Sequence, residues 1–240
     1  MNSFMLEDNK YSIFKYDTEK FNFRKIFSDF AYNNIGLDLE NIHKTDINKL
    51  VPSEILKTGE DSKQPFCELF YNIDDEFDSF DKKFKLKIKK NNNFMSLYRN
   101  FVKELKQQYF GESIVYQKKP TIRVHLPKNV STGTYHRDSE YGHSEKEINF
   151  WLPLTDAKKT SALHIESEYM SENFLPVEVK YGEFLIFNSL LKHGTEVNQE
   201  GSTRISFDFR IMKTSEYEES DKKSFVRRKQ FKIGSYYEQL

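Results

Sequence analysis

The stretch TRISFDFRI (203–211) alternates without interruption: Ile205, Phe207 and Phe209 fall on one face, and Arg204, Ser206, Asp208 and Arg210 on the other. Such alternation predicts a β-strand, because successive side chains of an extended chain point to opposite sides of a sheet. The apolar face needs a core to cover it. The other face carries two arginines, and an arginine turned into a barrel needs a partner, since an unpaired buried cation is costly. A bound dicarboxylate could be that partner for Arg204: its planar guanidinium matches a carboxylate through two hydrogen bonds, and the Ser206 hydroxyl can add another. Pairing with Asp208 or another acid of the chain is the alternative.

Working outward, the same period runs through the sequence from Pro120 onward. TIRVHLP (121–127), GTYHRD (133–138), EINFWLPL (147–154), SALHIES (161–167), LPVEVKY (175–181), EFLIFN (183–188) and HGTEV (193–197) are further candidate strands. Turn-rich segments such as KNVST, YGHSEK, TDAKKT and NQEGS separate most of them. Many short strands at this spacing predict an antiparallel sandwich or barrel.

Upstream of about residue 118 the texture is helical. In NNNFMSLYRNFVKELKQQYFGES (91–113), Phe94, Leu97, Tyr98, Phe101, Val102, Leu105 and Tyr109 follow one helix face, and Gly111 is a natural stop. A second helix is expected within TEKFNFRKIFSDFAYNN (18–34), from Phe23, Ile26, Phe27 and Phe30, with Thr18 as its cap. Phe84, Leu86 and Ile88 alternate with lysines in DKKFKLKIKKNNN (81–93), which reads as a half-buried strand with a solvated face. The expected organisation is one structural domain: a mostly helical region (1–118) packed on a β core (119–212), then a charged tail (213–240). No internal repeat is visible.

Composition narrows the function. The 240 residues include 22 Phe and 14 Tyr, enough to fill a core. Lys plus Arg and Asp plus Glu balance at 37 each, so the basic excess of a nucleic-acid-binding surface is absent. One cysteine, Cys67, rules out an internal disulfide framework and a cysteine-based zinc knuckle. No signal-like start or bilayer-length apolar run is seen, so a cytoplasmic protein with a small-molecule partner, rather than nucleic acid or a membrane, is expected.

The six histidines carry the candidate chemistry. Two histidines and one carboxylate can bind Fe(II) and leave open positions. On a strand, residues i and i+2 share a face, so H-x-D supplies two adjacent ligands. Three pairs qualify: His136 with Asp138, His143 with Glu145 and His164 with Glu166, where about one is expected by chance. His193 follows the apolar run EFLIFN and can add a ligand from another strand, with Arg204 eleven residues further on. His136–Asp138 sits in a stretch that reads better as strand than the surroundings of His143, which stays as the rival.

The set H-x-D, a distal histidine and then an arginine, within an eight-strand carboxy-terminal half, resembles the Fe(II)/2-oxoglutarate-dependent oxygenases. The His-to-Arg spacing is similar to the phytanoyl-CoA hydroxylase-like branch. YHRDSEYGHSEKEINFWLPLTDA (135–157) and HGTEVNQEGSTRISFDFRI (193–211) look like the StrG-like proteins of streptomycin-type biosynthetic clusters. The resemblance covers about residues 120–212. It implies a double-stranded β-helix (a jelly-roll, cupin-like fold) of two four-stranded sheets, with the helical extension at its N-terminus. It implies iron at His136, Asp138 and His193, 2-oxoglutarate held by Arg204 and Ser206 with Asn149 nearby, and oxygen as cosubstrate. Arg123 and His125 could line the cavity for a small polar substrate, sugar-like or amino-acid-like; Arg210 could bind an anionic substrate or pair with Asp208. The carboxylate at 138 argues against a halogenase, which has a small residue there. The competing readings are a cupin-type metal-dependent isomerase or hydrolase, and a non-catalytic ligand-binding barrel.

Overall fold

The computed structural model describes residues 11–44, 92–128, 135–224 and 229–240. Its strands are β1 (Tyr11–Lys15), β2 (Ile114–Gln117), β3 (Thr121–His125), β4 (Ile148–Pro153) and β5 (Leu163–Glu166), then β6 (Phe174–Val177), β7 (Glu183–Asn188), β8 (His193–Gly194), β9 (Arg204–Lys213) and β10 (Tyr237–Gln239). Among the described residues, two α-helices, α1 (Phe23–Ile35) and α2 (Asn92–Leu105), come from the N-terminal half. The described residues are therefore mainly antiparallel β with few helices.

β9 is the longest strand and the spine of the larger sheet, whose order is β1-β7-β4-β9-β2-β10, with β3 also on β9. β2 and β3 share one edge of β9: β3 pairs with Arg204–Asp208 and β2 with Ile211–Lys213. A second sheet has the order β6-β5-β8. Among the described residues the two sheets have seven strands and three, where two four-stranded sheets were expected. β1, β2 and β10, all from outside 119–212, extend the larger sheet. Of the predicted strand 133–138, residues 133–134 lie outside the described residues, and the rest meets the smaller sheet through a bridge from His136 to His193. Residues 81–91 of the lysine-rich run lie outside the described residues.

The alternation of β9 becomes two environments. Ile205, Phe207, Phe209 and Ile211 enter a core with Phe23 and Phe27 of α1 and Phe94, Tyr98, Phe101 and Val102 of α2. Phe23 and Phe94 meet the Phe207 ring edge-on at 4.9 and 5.7 Å. Each such ring taken from water contributes about 1.5–3 kcal/mol, so the helices are held to the outer face of the larger sheet. Trp151, Leu185 and Phe187 pack from that sheet against Leu163, Ile165 and Val177 of the smaller one. The space between the sheets therefore has an apolar half along β4 and β7 and a polar half along β9 and β3.

The helix ends differ in how they compare with expectation. Gly111 does terminate the helical run, at φ 66°, after a wide turn over Lys106–Phe110. Thr18 does not cap α1. It lies in a turn held by Asp17 Oδ1, which accepts from the amides of Glu19 and Lys20, and the cap is Asn22, whose Oδ1 accepts from Lys25. The tail is not only a charged extension: β10 pairs with β2, and Phe231, Tyr236 and Tyr237 form a core with Val115 and Met212. Among the described residues no helix is long and apolar enough to cross a membrane.

Candidate metal centre

β8 places His193 at the inner edge of the smaller sheet. His136 exchanges both backbone hydrogen bonds with it, at 3.0 and 2.9 Å, so the two residues face the same way with their rings 4.7 Å apart. This close pass depends on Gly194, because a Cβ there would come within 3.0 Å of the Tyr135 ring and 3.2 Å of its Cα. Asp138, two residues after His136, returns to the inner face. Its Oδ1 lies 3.6 Å from His136 Nε2 and 3.9 Å from His193 Nε2. One donor atom from each of the three side chains falls within 4.8 Å of the others, close enough for one small cation to touch all three.

The protonation states suit a cation. Leu191 O can only accept, so His193 donates Nδ1–H to it at 3.0 Å and turns the Nε2 lone pair toward Asp138. Burial pushes the His193 imidazole down to about 4, against the opposing pull of Asp138, so it is neutral at ordinary pH. Burial pushes the Asp138 carboxyl up, but Arg210 and the neighbouring histidines outweigh it and hold the group well below the usual carboxylate range.

Between His136 and Asp138, Arg137 points the other way, as the strand period requires. It donates through Nη2 to both oxygens of the fully buried Glu166, at 3.0 and 2.9 Å, and lies over the Tyr169 ring. Glu166 also accepts from the amides of Glu172 and Lys192. The ion pair ties the His136–Asp138 segment to β5, beside the strand that carries His193. Glu166, one of the three His–acid candidates by sequence, is thus a structural anchor.

The polar face of β9 runs away from this cluster. Arg204, 1% exposed, donates to Ser161 O at 3.0 Å, to Ser206 Oγ at 2.8 Å and to His125 Nδ1 at 3.1 Å, and lies over Trp151. Asn149 is buried on β4, in register with Arg210 and Phe187, and its Nδ2 has no hydrogen-bond partner. Arg123 pairs with Asp208 at 2.9 Å. Arg210 is committed to protein groups: Asp208, which the sequence allowed, and also Asp138 and Gln117.

The rival histidine has a different role. His143 Nδ1 lies 2.8 Å from Glu147 Oε2, and its ring packs on Phe231 and Tyr236 of the C-terminal segment. Tyr237 donates a hydrogen bond to the other Glu147 oxygen. Sequence reasoning missed Arg137, Gln117, Glu147 and Tyr237. The first was legible from alternation alone, as the outward residue between two inward ones; the rest needed the tertiary fold.

No family model matches the chain. Over 128 residues it is 38% identical to the streptomycin biosynthesis protein StrG of Streptomyces griseus, a match covering 53% of this chain and 61% of that protein. The matched region thus spans about three-fifths of the relative's length. Among solved structures, the non-heme alpha-ketoglutarate-dependent carbocyclase SnoK from nogalamycin biosynthesis is 12% identical with a TM-score of 0.44, over 86% of this chain and 80% of that one. AviO1 from Streptomyces viridochromogenes Tue57 is 14% identical with a TM-score of 0.43, over 88% and 93% of the two chains.

Proposed function

We propose that the chain is a non-heme Fe(II)/2-oxoglutarate-dependent oxygenase, a hydroxylase or related oxidase built on a double-stranded β-helix and acting on a small polar metabolite in a biosynthetic pathway. The observation that carries this reading is the convergence of His136, Asp138 and His193 on one point, at the edge of an inner strand face bearing Arg204 and Ser206. Two imidazole nitrogens and one carboxylate oxygen, with no thiolate, are the donor set that suits Fe(II) with open positions. The 38% identity to StrG over 128 residues supports a biosynthetic role. A sugar-like or amino-acid-like substrate fits the polar half of the interior.

Bound together, Fe(II) and 2-oxoglutarate supply oxygen activation, with conversion of the cosubstrate to succinate and carbon dioxide and oxidation of an unactivated carbon. The protein's part is to hold and orient. His136, Asp138 and His193 would hold the metal. Arg204 would meet the distal carboxylate of 2-oxoglutarate with two N–H donors, and Ser206, which accepts from Arg204, would turn its hydroxyl hydrogen to the same anion. Asn149 Nδ2, a buried donor with no partner, fits a ligand oxygen, since an unsatisfied buried amide costs about 1–3 kcal/mol. Trp151 and Phe187 exclude water on the apolar side.

The test is succinate release from 2-oxoglutarate under oxygen, with a panel of small polar metabolites as stimulants. The expected result is Fe(II)-dependent succinate formation, abolished in His136→Ala and retained in His143→Ala. Loss in His143→Ala with retention in His136→Ala would move the metal to the rival pair. A well-folded protein that yields no succinate with any metabolite and binds no Fe(II) would contradict the proposal.

A further inference from the structure

We propose that Arg210 is a positioning residue that restricts Asp138 to a single metal-facing oxygen; this rests on the metal-site reading above. Both Nε and Nη2 of Arg210 reach the same carboxylate oxygen, Oδ2, at 3.0 and 2.9 Å. The other oxygen, Oδ1, is the one turned to His136 and His193. A guanidinium that donates from Nε to one carboxylate oxygen and holds Nη2 in ion-pair contact with the same oxygen fixes the rotation of the carboxylate group, not only its charge.

The arginine is itself held from behind. Its Nη1 donates to Gln117 Oε1 at 3.0 Å and Asp208 Oδ2 at 3.3 Å. Gln117 cannot present its amide hydrogens instead, because Nε2 donates to Lys119 O and Thr121 Oγ1. Asp208 is anchored in turn by Arg123. Glu147 lies 3.8 Å from Arg210 Nε on the remaining side. Four residues, Gln117, Asp208, Arg123 and Glu147, therefore set the angle at which the guanidinium meets Asp138, and Arg210 and Asp138 are both buried.

The consequence concerns the number of open positions. A carboxylate can bind a metal through one oxygen or two. Binding through both would use up a position that a cosubstrate or oxygen needs, since the two-histidine, one-carboxylate face works by leaving positions free. With Oδ2 taken up by the Nε donor and the Nη2 ion-pair contact, Asp138 is limited to Oδ1. A neutralising cation alone would not impose this: a lysine satisfies the charge through a single freely rotating centre and leaves the carboxylate able to swing.

Infrared difference spectra on adding Mn(II), recorded with and without carbon-13 aspartate, read the carboxylate directly. One-oxygen binding gives a wide separation of the antisymmetric and symmetric stretches, and two-oxygen binding a narrow one. The wide separation is expected in the wild type and in Asp208→Asn, which touches Arg210 but not Asp138. The narrow one is expected in both Arg210→Gln and Arg210→Lys, with circular dichroism confirming the fold; if the glutamine variant does not fold, the lysine variant carries the test. A narrow separation in the wild type, or a wide one in Arg210→Lys, overturns the proposal. Failure of the wild type to show any Mn(II)-induced aspartate band overturns the metal-site reading and this proposal with it.

Discussion

Arg204 is among the largest side chains buried in the protein, and each of its nitrogens has a defined neighbour: a backbone carbonyl, a serine hydroxyl and an imidazole. Under the proposed function it also carries the cosubstrate carboxylate. Charge-assisted hydrogen bonds are worth about 1.5–3 kcal/mol each, so Arg204→Ala should weaken 2-oxoglutarate binding at least about tenfold. Equilibrium binding measured beside a melting curve checks this; unchanged cosubstrate affinity in a folded variant removes Arg204 from the site. This residue was legible because β9 alternates strictly, so sequence alone fixed which side chains share its face. The partner of Asp138 was not legible, because Arg210 lies on a strand 72 residues away and only the β4–β9 and β3–β9 registers bring it there.

At the level of elements, the His136–Asp138 segment is held on two sides by different physics. Its inner side meets β8 through paired backbone bonds, and its outer side meets β5 through the Arg137–Glu166 ion pair. Burial pushes the Glu166 carboxyl up, but the amides of Glu172 and Lys192 and the Arg137 guanidinium hold it below its ordinary value of 4.5. A carboxylate whose folded value is depressed adds stability that is present above its unfolded value and lost as pH falls through the folded one. Glu166→Gln should therefore lower stability at neutral pH, by about 3–5 kcal/mol if Arg137 is left uncompensated, and flatten the decline below about pH 4.5. Urea unfolding at several pH values reads both; an acid limb identical to the wild type would show that the pair is not formed. The C-terminal element is tied similarly, through Tyr237 on Glu147. Tyr237→Phe leaves a buried carboxylate oxygen short of a donor, and should cost about 1–3 kcal/mol in unfolding free energy without removing metal binding. That element was invisible in the sequence: β10 is three residues long, and a charged tail gives no period to read.

For the molecule as a whole, the layers follow from where apolar and polar faces fall. The helices cover the outer face of the larger sheet, leaving its inner face to meet the smaller sheet across a half-apolar, half-polar interior. Seven of the eight segments after Pro120 counted by period became strands, whereas the described part of the eighth, Tyr135–Asp138 of GTYHRD, gives a bridge at His136 before Asp138 opens a tight turn. A metal-binding residue needs its direction fixed, not a long ladder, and the backbone exchange with His193 supplies that. Strand count per sheet was misjudged because β1, β2 and β10 join the larger sheet from outside the alternating region, and pairing between distant short segments leaves no local trace in composition or period. Under the proposed function His136, Asp138 and His193 hold Fe(II) beside a 2-oxoglutarate site, and anaerobic titration with Fe(II) and 2-oxoglutarate reads this without turnover. A weak visible charge-transfer band that needs both components and saturates at one equivalent of metal is expected; a folded protein that develops no band with both present would rule the site out.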